Sequence, residues 1–290
     1  MSDNLQFLVT GLATGSVYAL VGLGIVLVHQ VTGIINFAQG EFVMVGALTF
    51  ALLNEKGLGL VPAALSALAI TVVVGVLVER LAIAPARKST IERLIILTIG
   101  ASIAIQGITL VVIGTSPHFA SAFTAGAPYR IGGVVILRQY LWVFAVTALA
   151  VVTLWYFLTR TLTGKAMRAA AMNRDAARLV AVSPSRMSLL AFVLAALLGA
   201  IGGIVLAPLQ APSAGIGIAL GLKGFTAAVL GGLNSPAGAI AGGLLIGVIE
   251  SIAAGYLPSG YKDAIAFGIL FLVLLIRPNG LLRRASSVRV

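Results

Sequence analysis

Apolar runs of about 20 residues recur along this chain, and almost no charge interrupts them. Leu5 to Val28, Leu60 to Val78, Leu94 to Ile113, Tyr140 to Leu158 and Met187 to Ala207 each read this way. An α-helix of that length matches the roughly 30 Å hydrocarbon core of a bilayer, and it satisfies its own backbone there. Soluble domains carry about 25% charged residues. This chain has 9% charged and 60% hydrophobic residues over 290 positions, too little polar surface to face water. A membrane β-barrel would show short alternating segments instead. The fold class is an all-α polytopic membrane protein. Shorter apolar stretches at 43–53, 215–233, 239–253 and 264–276 bring the count to about eight or nine hydrophobic helical segments. The segments 29–42 and 215–233 are candidates for broken or re-entrant elements, because irregular backbone at membrane depth survives only against protein or a cavity. The N-terminus, MSDNLQF, lacks a positive n-region, so the first run is expected to be an uncleaved span.

Charge sets the orientation. The net charge is +11, and 14 of the 19 basic residues fall in three segments, 79–93, 159–186 and 277–290. The positive-inside rule places all three in the cytoplasm and the N-terminus outside. Even parity between Arg186 and the tail needs four crossings with 215–233 counted as one, or two crossings plus re-entrant pieces. This clustering also accounts for the basic balance without nucleic acid. Gly11 with Gly15 and Gly199 with Gly203 permit close helix contact.

The polar stretch 159–186, TRTLTGKAMRAAAMNRDAARLVAVSPSR, lies between two long apolar blocks. Asn173 can cap a short helix RDAARLV, with Asp175 in its first turn and Arg178 in its last, both suited to the helix dipole. Pro184 is expected to end the element. Ala176, Ala177, Leu179 and Val180 would give it a small apolar face among basic flanks, the shape of a peg for a groove on another protein. An ordinary basic loop is the other reading of these residues.

TGKAMRAAAMNRDAARLVAVSP resembles the cytoplasmic loop of the branched-chain amino acid permease family of bacterial ABC transporters, through Gly164, Ala166, Arg168, Ala169, Ala171, Asn173, Ala176, Ala177 and Leu179. The family commonly has Gly-Ile where this chain has Ala181-Val182. GLATGSVYALVGLGIVLVHQVTGIINFAQGEFVMVGA is similar to the family's N-terminal signature, GFTAAVLGGLNSPAGAIAGGLLIGVIES to its C-terminal one, and RPNGLL at 277–282 to its terminal motif. The chain looks like the shorter, LivH-type subunit. The resemblance implies a single permease domain over 1–290 in the bacterial inner membrane, with a cytoplasmic coupling loop at 159–186. The coupling residues it implies are Gly164, Arg168, Asn173, Asp175, Ala176, Ala177 and Leu179. It implies a second, LivM-type permease subunit, two ATP-binding subunits and an extracytoplasmic substrate-binding protein as partners. Members also handle urea, short amides and other amino acids.

The chain has no G-x-x-x-x-G-K-[ST], so any ATP site is expected on another chain. No metal spacing, cysteine, nucleophile elbow or cofactor motif occurs, and no catalysis is expected here. Asn36, Gln39 and Glu41 cluster after the first span. An ionisable group at membrane depth is a functional candidate, and these three, with backbone at Gly231 and Gly232, form a candidate substrate path. The competing reading puts Glu41 at the interface, bracing a helix break. Gln106 is expected to donate between helices, and Glu250 to pair with Lys262 or a partner chain. A secondary transporter or channel would need ionisable groups within its spans, and an intramembrane enzyme would need paired acids or histidines there.

Overall fold

The computed structural model describes residues 2–87, 89–256 and 262–276. The RPNGLL motif, the basic tail and the side chain of Lys262 lie outside the described residues.

Helices follow the apolar runs. In chain order they are α1 (Ser2–Thr32), α2 (Gln39–Glu55), α3 (Leu60–Leu77), α4 (Ile91–Val112), α5 (Arg138–Arg160), α6 (Leu162–Met172), α7 (Arg174–Leu179), α8 (Pro184–Leu206), α9 (Ile216–Gly231), α10 (Pro236–Tyr256) and α11 (Lys262–Ile276). A π-helical turn, Val78–Ile83, extends α3. Six helices are long and apolar enough to cross a membrane: α1, α3 with its π turn, α4, α5, α8 and α10. With the shorter α2, α9 and α11, the described residues hold nine hydrophobic helical segments.

Side-chain contacts sort the helix ends onto two faces. The end of α1 meets α7 where the Arg174 guanidinium donates to Val31 O at 2.9 Å. The π turn and the turn that follows it meet the start of α8 through Glu79 with Ser188 and Arg87 with Ser185. The basic segments 79–93 and 159–186 therefore share one face. On the opposite face Gln6 exchanges two hydrogen bonds with the backbone of Val135, and Tyr256 donates to Asn4. The start of α1 is thus across the bundle from the polar stretch, the relation the charge count requires. Helix α9 follows Pro212, whose carbonyl accepts from His118 N on that far face. It ends beside Asn234, whose carbonyl accepts from Gln30 near the end of α1. Segment 215–233 is therefore a crossing, which selects the four-crossing parity.

Helix α1 is the centre of the bundle, enclosed by α8, α9 and α10. Inside a bilayer, apolar side chains gain little by leaving lipid, so association depends on close van der Waals fit. The glycines provide it. A Cβ on Gly15 would lie 2.8 Å from Gly243 O and 2.9 Å from Leu244 Cα, and one on Gly11 would lie 2.6 Å from Val248 Cα. Gly199 and Gly203 seat against Phe42 and Val43 of α2 in the same way. Both small-residue pairs read from the sequence are helix contacts. Gln106 differs: it is half-exposed on α4 and makes no hydrogen bond among the described residues. Most of α4 turns outward, leaving no neighbouring helix for that side chain to reach.

The long connection before α5 carries a β-hairpin, β1 (Tyr129–Ile131) and β2 (Val134–Ile136), with Ile131 paired to Val134. Gly132 and Gly133 have φ of 56° and 84°, the two positive values a tight two-residue turn demands.

Candidate functional site

The polar stretch folds into two short helices at one corner of the bundle. Thr161 caps α6 by accepting from Gly164 N. Gly164 is buried because α6 folds back so closely on α5 that a Cβ would meet Leu158 Cα at 2.6 Å. Asn173 caps α7 as expected, its Oδ1 accepting from Asp175 N and Ala176 N at 3.0 Å each. Asp175 and Arg178 face each other one turn apart at 3.2 Å. Pro184 does not end α7; it opens α8 as a first-turn residue, where its missing N–H costs nothing. The turn between them is made by Ala181, the one non-glycine residue with positive φ (60°) among those described. Alanine here takes the glycine-like conformation against its steric preference.

The apolar face of α7 is not the one the sequence suggests. Ala177 is 3% exposed and packs inward with Met167 and Ala170. A six-residue helix offers few inward positions, and Ala177 is the buried one. Met172 (89% exposed), Leu179 (89%) and Val180 (69%) project outward instead. Ala176, Arg168, Asp175 and Arg178 are exposed around them. The result is an apolar tip ringed by charge.

The second polar group lies at the break between α1 and α2. Thr32 ends α1, Gly33 turns with φ 75°, and residues 33–38 run back into the bundle. Several of their backbone groups are held by protein, as membrane depth requires. Thr98 Oγ1 accepts from Phe37 N and lies within hydrogen-bond distance of Ile35 O, and Asn36 Oδ1 accepts from Ala38 N at 3.1 Å. Gln39 donates to Ala195 O at 2.9 Å, and Ser102 donates to Glu41 Oε1 at 3.0 Å. Ala195 and Ser102 are each eleven residues into helices that start on the polar-stretch face, about 16 Å by helical rise. Glu41 therefore lies near mid-depth, not at the interface. It still braces the break, pressed against Gly217 of α9, whose missing Cβ makes room for the carboxyl. Asn36, Gln39 and Glu41 are each at most 1% exposed. Each has one polar atom (Nδ2, Oε1 and Oε2) without a hydrogen-bond partner among the described residues.

Gly231 and Gly232 stand apart from this group. They form the turn into α10, where Gly231 packs on Gly238 and Gly232 has φ 96°. The α9 glycines beside the break are Gly217 and Gly221. Four residues apart, they mark one face of a helix, a spacing present in the sequence.

Glu250, expected from the sequence to pair with Lys262 or a partner chain, meets Lys223 among the described residues. Lys223 of α9 donates to Glu250 Oε1 of α10 at 2.7 Å, with the ammonium 5.5 Å from the Tyr18 ring centroid. Both side chains are buried. The available signal was a lone lysine inside one apolar run and a lone glutamate inside the next. Glu79 of the π turn is likewise fully buried, held by Arg87 and Ser188.

Comparison by sequence points to one family. Residues 7–274 match the profile described as branched-chain amino acid transport system / permease component. The chain is 37% identical to the high-affinity branched-chain amino acid transport system permease protein BraD of Pseudomonas aeruginosa, over 99% of this chain and 98% of that protein. It is 33% identical to the corresponding permease protein LivH of Escherichia coli, over 99% and 97%. Among solved structures, a chain of PsaBC from Streptococcus pneumoniae in complex with Fab shares the fold, with a TM-score of 0.53 at 15% identity, covering 96% of this chain and 93% of that one.

Proposed function

Because this chain belongs to the branched-chain amino acid transport permease family, we propose that it is the membrane-spanning subunit through which an ABC importer moves branched-chain amino acids inward. It is a multi-pass membrane protein. In this reading it sits in the bacterial inner membrane, pairs with a second, LivM-type permease subunit, and receives cargo from an extracytoplasmic binding protein. ATP hydrolysis belongs to two partner subunits, and this chain needs no cofactor of its own.

The observation that carries the reading is the exposed apolar tip at Met172, Leu179 and Val180. Large apolar side chains held out on an ordered, charged surface mark a contact site. The helices beneath are pinned at both ends, by Gly164 on α5 and by Arg174 on the end of α1. A push on the tip is therefore delivered to α5, α8 and α1 rather than absorbed. Helix α1 leads directly into the break at Asn36, Gln39 and Glu41. We place the candidate path there, with the unpaired polar atoms as transient partners for the charged ends of an amino acid. Gly164, Asn173 and Ala177 build the coupling element, and Arg168, Asp175, Ala176 and Leu179 lie on its docking surface.

The absence of cysteine gives a direct test. Single cysteines replacing Met172, Leu179 and Val180 should cross-link an ATP-binding protein in native membranes, identified by mass spectrometry, whereas Ala177→Cys should not. Labelling of those three positions by an impermeant thiol reagent from the periplasm, with no partner captured, would reverse the topology and end the importer reading.

A further inference from the structure

Helix α9 has two working faces. Gly217, Gly221 and Gly224 pack on the break and on α1. Ile216, Ala219, Leu220 and Lys223, at the spacing of one helical stripe, line a cavity of about 270 Å³ on the other side. The opposite walls are Thr10, Thr14 and Tyr18 of α1 and Tyr140 of α5. Leu137, Leu209 and Gln210 form the rim at the face opposite the polar stretch. The space exists because α9, at 16 residues, starts below that face. It has room for a ligand the size of a branched-chain amino acid.

The chemistry of the wall is specific. Its one cation is Lys223, held by Glu250 from behind at 2.7 Å. Thr10, Thr14, Tyr18 and Tyr140 line the same space. We propose that this cavity binds a zwitterionic amino acid, its carboxylate toward Lys223, on the way from the outer face to the break at Glu41. The inference rests on the amino-acid import reading above and locates a binding step within it. Lys223 and Glu250 together are neutral, so a zwitterion adds no net charge to a poorly solvated site. A carboxylate without its ammonium group would add one full negative charge, which such a site resists. Glu250 is a positioning residue, because it fixes Lys223 rather than meeting the ligand.

The test uses the whole transporter in membrane vesicles. Ala219→Cys and, separately, Leu209→Cys place a thiol on the cavity wall of a chain that has no other. The rate of modification by a neutral methanethiosulfonate is measured with L-leucine, with 4-methyl-2-oxopentanoate, which lacks the ammonium group, and with 3-methylbutylamine, which lacks the carboxylate. L-leucine should slow modification at least threefold, and the other two should leave it unchanged. The Lys223→Gln/Glu250→Gln pair, which keeps a hydrogen bond between the helices, should lose the leucine protection while still co-purifying with its ATP-binding partner. No protection by leucine, in vesicles where the parent chain takes leucine up, would overturn the cavity assignment. Equal protection by the oxo acid would overturn the zwitterion. Failure of the parent chain to take up leucine at all would instead bring down the cargo reading, and this inference with it.

Discussion

Leu179→Ala isolates the apolar tip from the fold that carries it. Leu179 is 89% exposed, so it contributes little to folding, and surface truncations of this kind stay within about 0.5 kcal/mol. Burial in a partner groove changes that. The substitution removes three carbons at about 0.8 kcal/mol per buried methylene. Scaled by the exposed fraction, the loss is about 2 kcal/mol, or roughly a 30-fold weaker association. The assay is a titration of the ATP-binding subunit onto purified permease in lipid nanodiscs, read by fluorescence anisotropy, with thermal stability of the permease measured alongside. A dissociation constant within threefold of the parent would refute the reasoning, because it would mean that the tip stays in water in the assembled transporter. Ala177 cannot serve this purpose. A bulky charged residue there would break the contact of α7 with Met167 and Ala170, and any loss of coupling would follow from that.

Gly15→Val should destabilise the purified protein by about 1–3 kcal/mol, because atoms now 2.8–3.1 Å from an added Cβ must retreat to ordinary contact; Gly107→Val, with nothing within 4 Å, should leave the thermal midpoint unchanged. Ala181→Gly should relieve about 1 kcal/mol of left-handed strain, slowing tryptic cleavage at Arg178 about fivefold; faster cleavage would show that alanine is unstrained there. Glu41→Gln keeps an acceptor for Ser102 and should fold and assemble normally, with uptake reduced a few-fold through loss of the Oε2 partner on the path; unchanged uptake would take the carboxyl off the path. Glu55, exposed at the far end of α2, accepts from Phe119 N and is bonded to His118, and the Phe119 contact first and His118 second hold its carboxyl below the usual range. The anchorage this adds is present above the unfolded value of about 4.3 and is lost as pH falls through the lower folded value. A spin label at Ala125 should therefore gain mobility only under acid conditions, and Glu55→Gln should remove that pH dependence.

Local chemistry was legible without the structure. The recurring apolar runs give about eight or nine helical segments because, in a bilayer, each segment must satisfy its own backbone. The Asn173 cap, the polarity of α7 and the glycine pairs at 11/15 and 199/203 are set by neighbours within a few residues. They need no knowledge of the distant chain. The parity of 215–233, the depth of Glu41 and the inward turn of Ala177 were settled by tertiary packing. Glu41 reads as interfacial when counted from the end of a long first helix, yet the chain doubles back after Thr32, and Ser102 and Ala195 fix it at mid-depth. Lys223 and Glu250 are 27 residues apart and meet because α9 and α10 pack side by side. Hydrophobic pattern assigns a residue to a helix but carries no information on which neighbour that helix will face. In a membrane, where lipid and protein are equally apolar, only the fit of backbone against glycine and the pairing of buried polar groups make that choice.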